Sequence, residues 1–235
     1  MTVVITGIAG GIGRAAAAQF KDRDVVGQDL NTPDSPSELA RQTVAGDLRD
    51  ALTLEAIKTA LGDNPLDTLV LAHGIAGAGA LRDISDGDTR RIMSINFESV
   101  IETWEYFRSD LERSRGTLVV LASQAAVVAE AGNGVYCASK SALLGWARGM
   151  DAQTGVRLRV LCPGATETPL LKRALEGMAA SQNISYEQLL GRRNRAVPVG
   201  RLGRTEEMGA AIRWLADLRS TDLVTATVSG GEVLN

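Results

Sequence analysis

The 235 residues are 45% hydrophobic and 23% charged, the balance of an ordinary globular chain and not of a disordered or fibrous one. A net charge of −3, a pI near 5.3 and 4% aromatic residues exclude a basic field for a nucleic acid backbone and a platform for stacked bases. Cys137 and Cys162 are too few for a disulfide framework and fit a reducing cytoplasm. No apolar run approaches the roughly 18 residues of a membrane span, and Met1 leads into Val3-Val4-Ile5 without the basic and apolar regions of a signal peptide.

In chain order, Val3 to Thr6 predicts a first strand, Gly13 to about Lys21 a helix and Val25 to Asp29 a second strand. Asn31 to Arg41, with Pro33 and Pro36, reads as a polar loop. Val44 to Gly46 is a weak third strand, Ala51 to Leu61 a helix and Thr68 to Ala72 a strand. A long helix over Thr89 to Arg113 precedes a strand at Thr117 to Ala122. The rest reads as a helix from Val135 to about Gln153, a strand from Val156 to Leu161, a helix from Thr205 to Ala216 and a closing strand from Leu223 to Val228. Short strands alternating with helices require crossover connections. The expected fold is α/β, a single domain with a three-layer, doubly wound parallel sheet of about seven strands. Residues 165–204 break the rhythm. Leaving from the carboxyl end of a strand, they read as a substrate-binding lid; the plainer alternative is a surface excursion.

The first strand runs into Thr6-Gly7-Ile8-Ala9-Gly10-Gly11-Ile12-Gly13-Arg14. Glycines there let the backbone turn sharply, and the following helix aims its free amides and positive dipole end at the turn, which suits a pyrophosphate. Asp29 ends the second strand, where its carboxylate suits a ribose 2′-hydroxyl and repels a 2′-phosphate. With no basic residue at position 10, the pair favours NAD over NADP; an ordinary turn-initiating aspartate is the alternative. Asp47 follows the third strand and is either a contact to the adenine edge or the N-cap of the next helix.

Tyr136 and Lys140 stand four apart on an expected helix and so share one face. Ser123 lies just past the strand ending Leu121-Ala122, on the same rim as the glycine turn. A ketone that accepts hydride becomes an alkoxide and needs a proton. A free phenol, with a pKa near 10, is too weak an acid to serve as a base in the reverse direction at neutral pH. A neighbouring ammonium favours the phenolate, and a serine hydroxyl stabilises charge on the reacting oxygen.

Taken together, Thr6-Gly7, Gly11-Ile12-Gly13, Asp47-Leu48, Asn96, Ser123, Tyr136, Lys140, Pro163-Gly164 and Thr168 resemble the short-chain dehydrogenase/reductase family in order and spacing over nearly the whole chain. The resemblance implies an NAD-dependent enzyme in which Tyr136 is the acid/base and Ser123 orients the substrate oxygen. Lys140 would support Tyr136 and bind the nicotinamide ribose. It implies that Asn96 holds a water linking Lys140 to solvent; by itself Asn96 reads as a polar helix residue. It places Pro163, Gly164 and Thr168 around the nicotinamide, and Ile12, Leu48, Gly74 and Thr166 among the cofactor contacts. It also implies a homodimer or homotetramer built through the helices at Thr89–Arg113 and Val135–Gln153.

One segment departs from the family. Where Asn-Asn-Ala-Gly is common, this chain reads Leu71-Ala72-His73-Gly74, without the asparagines that support the central sheet. His73, the one histidine in the sequence, reads as a structural residue or as a contact near cofactor or substrate. The pocket is expected between 73–81, 124–134 and the insertion, with Leu170, Leu171, Leu175 and Met178 as an apolar face. That favours a hydrophobic alcohol or ketone, and Pro163 to Leu171 is weakly similar to bacterial hydroxysteroid dehydrogenases. Arg192, Arg193 and Arg195 either grip an acidic substrate or form a solvated basic loop. A 3-oxoacyl-carrier-protein reductase and a non-catalytic NAD sensor are the rival functions; Asp29 counts against the first and the complete catalytic set against the second.

Overall fold

Runs of Val, Ile and Leu too short for helices become seven parallel strands with both faces covered: β1 (Thr2–Thr6), β2 (Asp24–Asp29), β3 (Gln42–Ala45), β4 (Leu66–Leu71), β5 (Thr117–Leu121), β6 (Arg157–Pro163) and β7 (Val224–Val228). The computed structural model describes residues 1–32, 36–76, 84–128, 132–150, 155–220 and 223–233. The strand order is β3-β2-β1-β4-β5-β6-β7. The chain reverses its direction of travel between β1 and β4, and the carboxyl ends of those strands form the crevice where ligands sit in such sheets.

The helices are α1 (Gly11–Gln19), α2 (Pro36–Leu39), α3 (Ala51–Leu61), α4 (Asp86–Met93), α5 (Ser99–Ser114), α6 (Gly134–Gly149), α7 (Pro169–Ser181), α8 (Tyr186–Ala196) and α9 (Thr205–Asp217). Alternation along the strands makes two cores. Val4, Leu69, Leu71, Leu118 and Val160 meet α3, α5 and α6 on one face, with Trp104 edge-on to Trp146 at 6.4 Å. Val3, Ile5, Val119 and Leu161 meet α1 and α9 on the other, around Phe20 and Ile212.

Three expectations change. The polar loop at 31–41 contains α2, and the third strand starts two residues earlier than its apolar core, at Gln42; Pro33 lies outside the described residues. The long helix starts at Asp86, capped by the Ser85 side chain, and is broken by a wide π turn at Ser94–Glu98. Apolar periodicity does not register one inserted residue, so the turn was invisible in the sequence. The insertion at 165–204 is folded: α7 and α8 share a small core of Leu175, Ala179 and Leu189, and Thr166 pairs with Gly203 to close its base. The predicted helix end at 151–153 lies outside the described residues.

His73, where the family commonly has asparagine nearby, makes its own joins at the exit of β4. The Ser99 hydroxyl donates to the Ile95 carbonyl at 2.8 Å, so it accepts from His73 Nε2–H at 3.0 Å. The Thr6 hydroxyl has two acceptors in reach, the Val70 carbonyl at 3.3 Å and His73 Nδ1 at 2.7 Å; with the ring neutral and its proton on Nε2 it takes the shorter contact to Nδ1, while Thr6 Oγ1 accepts the Ala72 amide at 3.1 Å. One neutral imidazole thus ties β1 and the exit of β4 to the start of α5. Burial, and secondarily the charge of Lys140, pushes the pKa of His73 down to about 3, against a small opposing pull from Asp47.

Arg159 is a second unusual tie. It is fully buried on β6 and donates to the carbonyls of Leu158 at 2.9 Å and Leu218 at 3.0 Å, and to Ser220. Leu218 caps α9, so the guanidinium satisfies carbonyls that the helix end leaves open. The sequence reading of this strand as plain apolar had no place for it.

Two outcomes are expected. Folded His73 stays neutral down to about pH 3, whereas unfolded histidine takes a proton below about pH 6.5. The unfolded state therefore binds more protons in that window, and stability falls as pH drops from 7 towards 4, by up to about 1.4 kcal/mol per pH unit from this group. Urea denaturation of wild type and His73→Asn across this range should show the steeper loss in wild type; parallel curves would discard the assignment. Arg159→Met should lower stability by about 1–3 kcal/mol, because buried carbonyls lose their donor. An unchanged denaturation midpoint would refute this.

Candidate active site

The glycine turn closes through Gly10 N–H donating to the Gly7 carbonyl at 3.0 Å. Gly7 has φ +66°, and a Cβ there would stand 2.8 Å from the His73 Cα, so the exits of β1 and β4 touch backbone to backbone. A Cβ at Gly13 would fall 2.1 Å from the Gly7 carbonyl oxygen. Only glycine permits this approach, which leaves the amide end of α1 open to an anion. Gly11 faces Thr168, whose Cγ2 would lie 2.9 Å from an added Cβ.

Asp29 reaches back to this turn. Its Oδ2 accepts from Ala9 N–H and its Oδ1 from Leu30 N–H, both at 2.8 Å. Asp47 is not the helix cap; Asp50 caps α3 by accepting from Leu52. Asp47 is held by Arg49, whose guanidinium brings its pKa down to about 2. Leu48 packs its side chain in the core beside Leu54, leaving its backbone for any ligand contact.

Across the crevice a cavity of about 810 Å³ collects most of the chemistry. Ser123, Tyr136 and Lys140 line it with Ile12, Gly74, Pro163, Gly164, Thr166 and Thr168. Ser123 leaves β5 and caps a single 3₁₀ turn, accepting from Ala125 at 3.1 Å. Tyr136 and Lys140 sit on α6 as expected, with the ammonium 6.0 Å from the phenol ring centre. Lys140 is almost fully buried and donates to the Leu121 carbonyl at 3.0 Å. Burial lowers its pKa to about 8, so the ammonium keeps its charge at neutral pH and loses it in mild alkali.

Asn96 lies in the π turn, fully buried behind the cavity. Its Oδ1 accepts from Ile75 N–H at 2.8 Å and its Nδ2 donates to the Ile75 carbonyl at 3.0 Å. Between Asn96 and Lys140 sits Gly74; a Cβ there would lie 3.1 Å from Asn96 Oδ1 and 3.5 Å from Lys140 Nζ. Gly164 makes a comparable contact, 2.6 Å from the Ser229 Cα for an added Cβ. Thr166 donates to the Gly164 carbonyl at 2.9 Å, and Thr168 caps α7 by accepting from Leu171 at 3.1 Å.

His73 borders the cavity, but both ring nitrogens are engaged by Thr6 and Ser99. The insertion contributes Leu170, Leu171, Leu175 and Met178 to the wall, as the apolar pattern suggested. Residues 77–81 and 129–131 of the expected lining lie outside the described residues. Arg193 also borders the cavity, paired with Glu232, a residue the sequence reading did not single out. Its signal was faint: a lone acid after Ser229-Gly230-Gly231.

Comparison with known proteins agrees with this geometry. A family model, short chain dehydrogenase, matches residues 1–179. An uncharacterized oxidoreductase of Thermotoga maritima is 29% identical, covering 91% of this chain and 89% of its own length. The 2-keto-3-deoxy-L-fuconate dehydrogenase of Xanthomonas campestris pv. campestris is 28% identical over 97% of this chain and 78% of its own. A variant of actinorhodin polyketide ketoreductase, solved with NADPH, superposes with a TM-score of 0.91 at 23% identity, over 98% of this chain and 96% of its own. The order of strands, the glycine turn, the serine past β5 and the tyrosine and lysine on α6 therefore have one common explanation: the chain belongs to the short-chain dehydrogenase/reductase family of oxidoreductases, which bind a nicotinamide cofactor.

Proposed function

We propose that this protein is an NAD(H)-dependent oxidoreductase that interconverts a secondary alcohol and a ketone, with a hydrophobic, cyclic or hydroxysteroid-like substrate. The observation that carries the reading is one cavity lined by Ser123, Tyr136 and Lys140 beside an apolar wall. The nicotinamide, when bound, donates or accepts the hydride. Gly7, Gly11 and Gly13 would leave room for its pyrophosphate at the head of α1, and Asp29 would accept from its ribose. Asp47 and the backbone of Leu48 would hold the adenine, and Ile12, Gly74, Pro163, Gly164, Thr166 and Thr168 would hold the ring.

At the reacting carbon, the Tyr136 hydroxyl gives a proton to the substrate oxygen in reduction and takes it back in oxidation. Ser123 donates a hydrogen bond to the same oxygen and so stabilises the charge that develops there. The buried ammonium of Lys140, held by the Leu121 carbonyl, would stabilise the phenolate and would also face the cofactor ribose. Asn96 braces the segment after β4 against Lys140 and lies on the proton path from Lys140 towards solvent.

The cofactor preference rests on Asp29, whose charge at the turn opposes a 2′-phosphate. An NADPH reading would draw on Arg14, whose Nε donates to the Ala9 carbonyl at 3.1 Å beside the same turn. The ketoacyl reductase reading keeps a footing in the monensin polyketide synthase putative ketoacyl reductase of Streptomyces virginiae, 29% identical over 72% of this chain and 68% of its own. Assembly as a homodimer or homotetramer and a place in the cytoplasm remain parts of this proposal; among the described residues no helix is long and apolar enough to cross a membrane.

Titration followed by NADH fluorescence is expected to give tighter binding of NADH than of NADPH, and Asp29→Ala is expected to narrow the gap by about tenfold, or 1.4 kcal/mol. Tighter NADPH binding by wild type would overturn the preference. Tyr136→Phe should lower kcat on a cyclic ketone by about a hundredfold or more while NADH still binds. Undiminished turnover would end the acid/base assignment. Failure of wild type on a broad panel of ketones and alcohols, with NADH bound, would favour the sensor.

A further inference from the structure

Beyond the catalytic residues, the cavity wall carries a fork-shaped ion pair. Arg193 Nη1 lies 2.7 Å from Glu232 Oε1, and Arg193 Nη2 donates to Glu232 Oε2 at 3.2 Å. Two parallel contacts of this kind are the strong form of a guanidinium–carboxylate pair. The side chains are only 27% and 12% exposed, so the carboxylate in particular has given up most of its water. Arg193 comes from α8 of the insertion and Glu232 from the tail after β7. The same two segments are joined by Val199 N–H donating to the Gly230 carbonyl at 3.2 Å. The pair is therefore seated by backbone on both sides.

The charged groups lining this cavity, among the described residues, are Lys140, Arg193 and Glu232. Lys140 is engaged by the Leu121 carbonyl and serves the phenol. Arg193 is neutralised by Glu232. A carboxylate-bearing substrate at this wall would face the Glu232 carboxylate as well as Arg193, which is 27% exposed against 12% for Glu232. To capture Arg193 it would have to displace Glu232 and strand a largely buried carboxylate without a partner, which is costly. A hydroxyl or carbonyl suffers no such repulsion, because the fork keeps its partners while an uncharged group lies against it. The remaining wall of Leu170, Leu171, Leu175 and Met178 takes an apolar body.

We propose that the Arg193–Glu232 pair is a specificity determinant that makes this cavity select uncharged ketones and alcohols and reject carboxylate-bearing ones. The proposal rests on the oxidoreductase reading and fixes the charge class of its substrate. It also reassigns Arg193 from a grip on acids to a masked cation. Rejection by a paired charge acts through repulsion as much as through fit, which is how closely similar ligands are told apart.

The test uses the full chain with NADH and two matched cyclic ketones, 4-tert-butylcyclohexanone and 4-oxocyclohexanecarboxylate. The ratio of kcat/KM for neutral over anionic ketone is followed by NADH absorbance. Wild type is expected to favour the neutral ketone by about tenfold or more, the scale of a mismatched charge at a partly buried pair. Glu232→Gln, which unmasks Arg193, should lower that ratio at least severalfold. Arg193→Gln, which leaves Glu232 bare, should raise it. A wild-type preference for the carboxylate, or a ratio unmoved in both variants, overturns the proposal and leaves the pair as a tie between α8 and the tail. If one variant does not fold, the direction of the other decides. Should wild type reduce neither ketone, calorimetric binding of the two ketones to the NADH complex of wild type and variants reads the same ratio, while the broad panel decides the oxidoreductase reading separately.

Discussion

The exit of β4 is held by side-chain hydrogen bonds from three directions, and the site is built around it. The neutral ring of His73 joins it to Thr6 on one side and Ser99 on the other. Two residues on, the Asn96 amide grips both polar groups of Ile75. Gly74 lies between these clamps, close to the Lys140 ammonium, and Gly7 rests its backbone on His73. The glycine turn, the Lys140 ammonium and the long helix are thereby referred to the same few atoms. A hydrogen-bonded, desolvated tie of this kind holds geometry well, because every group in it loses its partner if one moves.

Lys140 shows how burial and function meet. Taking an ammonium out of water lowers its proton affinity, yet a value near 8 still leaves it charged at neutral pH. The charge sits in a setting that screens it poorly, so its influence on a nearby phenol is larger than on the surface. The fold creates this environment from β5, α6 and the segment after β4. A surface lysine at the same spacing would have lacked that environment.

The chain departs from its family at Leu71-Ala72-His73, and the departure is absorbed locally. An imidazole and a threonine hydroxyl join β1 and the exit of β4 to α5. The imidazole brings a proton-binding group into the middle of the fold, and stability at low pH is therefore tied to one histidine. The insertion follows a similar logic: it is anchored at both ends, by Thr166 with Gly203 and by the tail with Val199, so its apolar helices present a set wall to the cavity.

Alternation of short apolar strands with helical runs was enough to specify the parallel sheet, because crossover connections leave few other arrangements. The glycine spacing and the order of Ser123, Tyr136 and Lys140 carried the family, since turn geometry and helix periodicity are local. What crosses the fold was not legible. The π turn around Asn96, the cap that Arg159 places on α9 and the pairing of Arg193 with Glu232 each join residues far apart in sequence or differ by one residue of register. No local pattern encodes them. They are decided by which strand ends and helix faces the packed sheet brings within hydrogen-bonding distance, and that is settled only when the tertiary structure forms.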